Sequence, residues 1–195
     1  MIQGFKEYGM HLSEADCRKT MGLRIGEVIQ LWMNHFGYHH LNANAIEERI
    51  LHLLMELIET EGKFIPGIPE LLSFCKTKQL KTGIATSSAS LLMRTVIKKL
   101  QLEALFTSCV SAEFLRYGKP HPEVFLKCAE ELKTLPQNCL VIEDSFNGVI
   151  AAKAAQMKVI AVPDTGHIQV KGFAAADYQA LNMKEVLELF KTFFP

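Results

Sequence analysis

The spacing of apolar residues divides the chain into two halves of different character. Up to about residue 62, apolar residues recur at intervals of three and four, which is typical of amphipathic helices. One apolar face comprises Ile25, Val28, Ile29, Trp32 and Phe36 before Gly37, and a second comprises Ile46, Ile50, Leu53, Leu54 and Leu57 before Gly62. Ser13, with Asp16 three residues later, predicts a capping box at the start of a shorter helix. We therefore expect residues 1–62 to be helical throughout.

From residue 64 onward, short apolar runs alternate with helical patterns. This alternation predicts βαβ units, a parallel sheet and helices on both of its faces. The predicted strands are 82–86, 109–111, 140–142, 159–162 and 174–177, and the predicted helices are 69–78, 90–100, 122–132, 149–156 and 183–194. The stretch 62–69 contains two glycines and two prolines, which predicts a hinge between the halves.

Composition narrows the possible functions. Of the 195 residues, 49% are hydrophobic, which is enough to bury a sizeable core. The 21 basic and 21 acidic residues cancel, so we expect neither nucleic-acid nor membrane binding, and a monomer. The five cysteines are scattered and form no C-x-x-C pair, which favours free thiols in a reducing compartment. Without a signal sequence or a long apolar run, we expect a cytoplasmic protein.

Two adjacent acids, Glu143 and Asp144, follow the predicted strand 140–142. Carboxylates at the end of a buried strand repel each other and are costly to remove from water. A Mg²⁺ ion would relieve both penalties, and oxygen ligands suit Mg²⁺ better than zinc or copper. Acids also commonly cap the start of a helix, so this motif alone leaves both interpretations open.

Two further segments carry candidate chemistry. Thr86 ends a predicted strand, and its hydroxyl with the backbone N–H groups of Ser87 and Ser88 would suit a phosphate at a helix N-terminus. Ordinary capping by serine is the alternative. Lys119 precedes a proline, which biases it to an extended conformation. It could neutralise a phosphate and keep nearby carboxylates ionised, although an exposed loop lysine is the alternative.

Taken in order, Thr86, Lys119 and the pair Glu143–Asp144 resemble the second, third and fourth motifs of the haloacid dehalogenase superfamily of phosphohydrolases. The motifs Gly-Lys-Pro-x-Pro and Glu-Asp-Ser-x-x-Gly resemble those of the family branch that has a helical cap. This branch includes β-phosphoglucomutase and small sugar phosphatases. Residues 21–28, Met-Gly-Leu-Arg-Ile-Gly-Glu-Val, are most similar to the cap of 2-deoxyglucose-6-phosphate phosphatases. The resemblance implies an α/β fold with an all-α cap at 1–62 and a Rossmann-like parallel-sheet core at 63–195.

The same resemblance implies hydrolysis of a small phosphorylated metabolite, expected to be a sugar phosphate, with Mg²⁺ as cofactor. Thr86 would bind the transferring phosphoryl group, and Lys119 would neutralise it and orient the nucleophile. The remaining expected site residues bind substrate or metal: Ser87, Ser88 and the cap residue Arg24 for substrate, and Glu143 and Asp144 for Mg²⁺.

One expected element of the family is missing from the sequence. Family members attack phosphorus with an aspartate of an Asp-x-Asp motif on the first, central core strand, which forms an aspartyl-phosphate. None of the four aspartates, Asp16, Asp144, Asp164 and Asp177, lies in such a motif. We therefore expect the first strand to lie upstream of Met1, and this chain alone to be inactive and to bind Mg²⁺ weakly.

Two alternatives stay open from the sequence. A sugar-phosphate mutase is disfavoured because Met21 stands where the cap of β-phosphoglucomutase carries a lysine that grips a second phosphate. A non-catalytic remnant that binds a phosphorylated metabolite is the other alternative. His167 is left without a role.

Overall fold

The computed structural model describes residues 1–164 and 171–195, so His167 lies outside the described part of the chain. The first 62 residues are helical, as predicted. Their helices are α1 (Ile2–Glu7), α2 (Glu14–Lys19), α3 (Ile25–Phe36) and α4 (Ala43–Glu61). The predicted capping box at the start of α2 is present, because Ser13 and Asp16 exchange side-chain and backbone hydrogen bonds.

These helices enclose one apolar cluster. Its buried members are Phe5, Met10, Leu12, Val28, Ile29, Trp32, Met33, Ile46 and Ile50. Gly37 ends α3 in the left-handed region at φ +72°, which glycine adopts without steric cost. The helix predicted from Ile46 to Leu57 is present as α4, and its last apolar residue, Leu57, is 51% exposed.

The second half alternates strands and helices, as predicted. Its elements are α5 (Ile68–Thr77), β1 (Gly83–Thr86), α6 (Ser90–Lys99), β2 (Ser108–Ser111), α7 (Glu123–Glu131), β3 (Leu140–Glu143), α8 (Phe146–Ala154), β4 (Lys158–Ala161), β5 (Tyr178–Gln179) and α9 (Met183–Phe193). Within the described residues, no helix is both long and apolar enough to cross a membrane.

The predicted strand 174–177 is wrong. Lys171–Ala175 form a 3₁₀ helix, and the strand is the two-residue β5. The carboxylate of Asp177 accepts hydrogen bonds from the backbone N–H of Val159 at 2.8 Å and from Lys153 Nζ. The backbone N–H of Asp177 also donates to the carbonyl of Val159 at 3.0 Å, and the paired residues of β5 follow at Tyr178 and Gln179.

The described strands form two parallel sheets where the sequence predicted one. β1 pairs with β2, and β3 pairs with β4, which in turn pairs with β5. The carbonyl of Thr82, just before β1, accepts a hydrogen bond from the backbone N–H of Thr107, just before β2. The carbonyl of Glu143 in β3 accepts one from the backbone N–H of Val162, just after β4. Since successive residues of a strand direct their backbone groups to opposite edges, Ala85 of β1 and Ile142 of β3 direct theirs away from these partners. Neither of those edges pairs with a strand in the described residues.

Helices cover both faces of the sheets. Side chains alternate along the strands, so that Val141 and Val159 pack beneath α7 and α8, while Ile160 packs against α5 and α9. The five cysteines are free thiols, and each is buried or half-buried: Cys17, Cys75, Cys109, Cys128 and Cys139. The structure therefore has the predicted α/β architecture, with an interruption between β1 and β3.

Candidate active site

Lys119 lies at the interruption between the two sheets. Its side chain is only 6% exposed, and Nζ forms an ion pair with Glu143, which is 7% exposed. The same ammonium donates a hydrogen bond to the carbonyl of Ala85 at 3.2 Å. Lys119 thus connects the carboxyl end of β1 with the carboxyl end of β3. Its burial excludes the alternative of an exposed loop lysine.

Glu143 uses both of its carboxylate oxygens within the protein. Oε1 accepts from Lys119, and Oε2 accepts from the hydroxyl of Ser145 at 3.0 Å and its backbone N–H at 3.3 Å. Gly148 lies so close that a Cβ atom there would collide with the Glu143 carboxylate. In this arrangement Glu143 holds Lys119 in place, and Asp144 offers the more accessible carboxylate for a cation.

Asp144 is partly exposed as a residue, but its carboxyl group is largely surrounded by protein and lies beside other acids. Burial of the carboxyl within the surrounding protein raises its pKa, and the Glu143 carboxylate raises it further, against a smaller opposing effect of Lys119. Asp164, shortly after β4, adds to this repulsion. Sequence reasoning gave Asp164 no role, although carboxyl ends of neighbouring parallel strands meet at one edge.

The oxygen donors at this edge fit Mg²⁺ in kind, because hard carboxylate ligands are those the ion prefers. These oxygen donors are few. Within the described residues, no group of three or more His, Cys, Asp and Glu side chains is placed to hold a metal ion. The expected Mg²⁺ site at Glu143 and Asp144 therefore stays a prediction, with Asp144 as the better-placed ligand.

Thr86 organises the turn that follows β1. Its hydroxyl accepts a hydrogen bond from the backbone N–H of Ser88 at 3.0 Å, so this N–H is already used within the turn. Ser87 is 9% exposed, and its hydroxyl has no hydrogen-bond partner in the described part of the chain. The start of α6 is capped by Glu113, whose carboxylate accepts from Ser90 N at 2.8 Å. Serine capping, the alternative interpretation of this segment, does not occur there.

Arg24 lies where the helical half contacts the sheet half. Its guanidinium forms a two-point ion pair with Glu27, with Nε 2.9 Å from Oε1, and Nη1 donates to the carbonyl of Leu115 at 3.0 Å. The side chain expected to reach substrate is therefore engaged with protein partners. A second contact joins the halves nearby, where Asn147 donates to the carbonyl of Met21 at 3.1 Å.

The Arg24–Glu27 pair borders two clefts between the halves. One cleft has a volume of about 400 Å³ and reaches Ser87 and Glu113, and such volumes are typical of small-ligand sites. The other has a volume of about 580 Å³ and is lined by the segment 117–122 that carries Lys119. Thr86, Lys119 and the acidic pair thus lie at one edge of the sheets, beneath the helical half.

A buried lysine and an acidic strand end lie together beneath the helical half. This arrangement is typical of a known class of hydrolases. Residues 2–162 match the haloacid dehalogenase-like hydrolases, and the chain is a member of that family. It is 35% identical over 167 residues to hexitol phosphatase B of Escherichia coli, covering 86% of this chain and 75% of that protein. It is 30% identical to a phosphorylated carbohydrates phosphatase of Thermotoga maritima, covering 80% of this chain and 71% of that protein.

Solved structures confirm the predicted fold class. A putative β-phosphoglucomutase from Thermotoga maritima superposes with a TM-score of 0.73 at 27% identity, covering 98% of this chain and 88% of that one. CbbY from Rhodobacter sphaeroides, solved with phosphate, superposes with a TM-score of 0.83 at 21% identity, covering 95% of this chain and 86% of that one. The resemblance stated from the three motifs is confirmed.

Proposed function

We propose that this chain forms the cap and most of the core of a Mg²⁺-dependent phosphatase of phosphorylated sugars or sugar alcohols. One observation carries the proposal: buried Lys119 binds both Ala85, next to Thr86, and Glu143, next to Asp144. A single ammonium therefore links all three sequence motifs. The cap would be residues 1–62 and the core 63–195.

The chain's own residues would bind and orient the phosphoryl group. The Thr86 hydroxyl would donate to a phosphoryl oxygen, which requires it to keep its acceptor role toward Ser88. The Lys119 ammonium would offset the charge of the phosphate dianion, and Glu143 would keep the ammonium aimed at it. Asp144, with Glu143 beside it, would hold Mg²⁺, which supplies further charge neutralisation when bound.

The substrate class is inferred from relatives and from the cap. Two of the relatives are described as phosphatases of hexitols and of phosphorylated carbohydrates. A β-phosphoglucomutase of Bacillus subtilis is 31% identical over 127 residues, covering 62% of this chain and 55% of that protein, which keeps a mutase as the second candidate. Met21 weighs against it, because an apolar side chain cannot grip a second phosphate.

We further propose that the nucleophilic aspartate is supplied by a strand that pairs between β1 and β3. The unpaired edges of these strands support this proposal, as do Ala85 and Ile142, which lie there only half-buried. An added parallel strand would satisfy the backbone groups of both edges. Its carboxyl end would meet Lys119 and Asp144, which is where an aspartate could form the aspartyl-phosphate that the family resemblance implies.

The test compares the chain alone with a fusion to an added N-terminal β-strand that ends in an Asp-x-Asp motif. Phosphate release from sorbitol 6-phosphate is measured with Mg²⁺ and with a chelator. We expect release only from the fusion and only with Mg²⁺, and none from the fusion carrying Lys119→Met. Release by the chain alone would contradict the strand proposal. Conversion of β-glucose 1-phosphate to glucose 6-phosphate would favour the mutase, and metabolite binding without turnover would favour a non-catalytic remnant.

A further inference from the structure

The cleft that reaches Ser87 contains more acidic than basic side chains. Its charged lining consists of one guanidinium and three carboxylates, from Arg24, Glu27, Glu47 and Glu113. Arg24 is bound to Glu27, so these two charges largely cancel. Glu47 and Glu113 have no ion-pair partner within residues 1–164 and 171–195. The cleft therefore presents negative charge from two opposite walls, Glu47 on the cap and Glu113 on the core.

A buried hydroxyl in the same cleft indicates where a ligand would lie. Ser87 lines the cleft, is nine-tenths buried, and its Oγ lacks a hydrogen-bond partner in the described residues. Buried hydroxyls are normally hydrogen-bonded, so this one is available to a ligand oxygen. Because Ser87 directly follows Thr86, the cleft extends from the proposed phosphoryl site toward Glu47 and Glu113.

The carboxylates of Glu47 and Glu113 repel each other across the cleft. Glu47 is half-buried and packs over Gly26, where a Cβ atom would lie 3.7 Å from its Oε2. Burial raises the pKa of Glu47, and repulsion from Glu113 raises it further. Carboxylates accept hydrogen bonds from hydroxyl groups and repel anions, an effect that grows as water is excluded.

We propose that Glu47 and Glu113 are specificity-determining residues that select phosphomonoesters whose other carbons bear neutral hydroxyls, and that they reject a second phosphate or a carboxylate. The proposal rests on the proposed function, since the Thr86 and Lys119 site must hold the single phosphate. Hydroxyls of an open-chain or cyclic sugar would donate to Glu47 and Glu113, and one oxygen would contact Ser87. A bisphosphate would instead place its second dianion between two carboxylates.

The experiment measures binding to the whole chain by NMR titration with three probes: inorganic phosphate, sorbitol 6-phosphate and glucose 1,6-bisphosphate. We expect sorbitol 6-phosphate to bind about tenfold more tightly than the bisphosphate, as expected for like charges brought together at a site. Glu47→Gln and Glu113→Gln should each reduce this ratio about three- to tenfold. Glu48→Gln is the matched control, because Glu48 is the exposed neighbour on α4 and does not line the cleft.

The outcomes separate the two proposals. Phosphate binding with a ratio near one, or a ratio that Glu47→Gln leaves unchanged, would overturn the assignment of Glu47 and Glu113 and leave the phosphatase proposal standing. Failure of all three probes to bind would overturn the proposed function, and the specificity assignment with it. A ratio that falls in Glu47→Gln and Glu113→Gln but not in Glu48→Gln supports the proposal.

Discussion

The helical cap and the sheet core differ in how completely each is packed. The cap closes one apolar cluster with its own helices, and side chains such as Phe5, Ile29 and Ile50 are fully buried there. The core divides its apolar residues between two faces of two sheets, and the facing edges of β1 and β3 have no strand partner in the described residues. Across that interruption the core is joined by the apolar cluster beneath α7 and α8 and by one buried ion pair, Lys119–Glu143. The cap is thus stabilised by one apolar cluster, whereas the core combines apolar packing with a buried polar contact at its functional edge.

The largest expected effect comes from breaking that ion pair. Lys119→Met should lower the free energy of unfolding by about 3–5 kcal/mol, because it leaves the buried Glu143 carboxylate without a cation. It should also abolish binding of inorganic phosphate. Urea unfolding and phosphate titration measure the two effects.

An exposed ion pair of the cap, Arg49–Glu7, provides the matched control. Arg49→Met should leave urea unfolding nearly unchanged, because exposed pairs contribute little. The double variant Lys119→Met/Glu143→Gln should regain part of the loss, since a neutral amide replaces the uncompensated carboxylate. If Lys119→Met were no more destabilising than Arg49→Met, the core would not depend on this contact.

A second pair of variants compares packing in the two regions. Ile50→Ala should cost about 2–5 kcal/mol, as expected when a fully buried cap side chain leaves a cavity. Ile142→Ala should cost only about 1–2 kcal/mol, because this β3 side chain is half-buried at the open edge. Chemical denaturation of both variants checks the difference. Equal costs would show that the β3 edge is as well packed as the cap.

A third comparison concerns the contact between the regions. Gly37 and Gly22 both have positive φ angles, at +72° and +86°, but only at Gly22 would a Cβ atom crowd a neighbour, lying 2.7 Å from Ser145 Oγ. Gly37→Ala should cost about 1–2 kcal/mol for the backbone alone. Gly22→Ala should cost about 2–4 kcal/mol because crowding adds to that strain.

Thermal unfolding gives the costs of the two glycine variants, and amide chemical shifts of Ser145 and Asn147 report displacement of the cap. We expect these shifts to change in Gly22→Ala and not in Gly37→Ala. Unchanged shifts in both variants would mean that the loop at Gly22 does not press on the core.

The fold was predictable where the pattern is long and local. The helical cap and the alternating core follow from periodicity, and the Ser13 capping box follows from two residue types at the right spacing. The strand predicted at 174–177 is wrong because Lys171–Ala175 form a 3₁₀ helix, and the contacts that place β5 beside β4 join residues that are distant in sequence. The interruption between β1 and β3 concerns pairing between segments, which apolar spacing does not specify.

At the candidate site, the residue types were predictable and their partners were not. Thr86, Lys119 and Glu143 were found from motif order along the chain. The use of both Glu143 oxygens, the engagement of Arg24 by Glu27, and the capping of α6 by Glu113 depend on side-chain geometry. The Glu143–Lys119 and Glu113–Ser90 contacts join residues that are distant in sequence, so they depend on tertiary packing, whereas Glu27 lies only three residues after Arg24.

The enclosed thiols make the chain suitable for site-selective chemistry. Burial raises the pKa of every cysteine: Cys17, Cys75, Cys109, Cys128 and Cys139. Since the thiolate is the reactive form, maleimide dyes should modify these residues slowly at neutral pH. Leu57 of the cap and Leu181 of the core are both well exposed, so Leu57→Cys and Leu181→Cys should label first. A donor and an acceptor dye at these two positions would let single molecules report the distance between the cap and the core, without removal of any native cysteine.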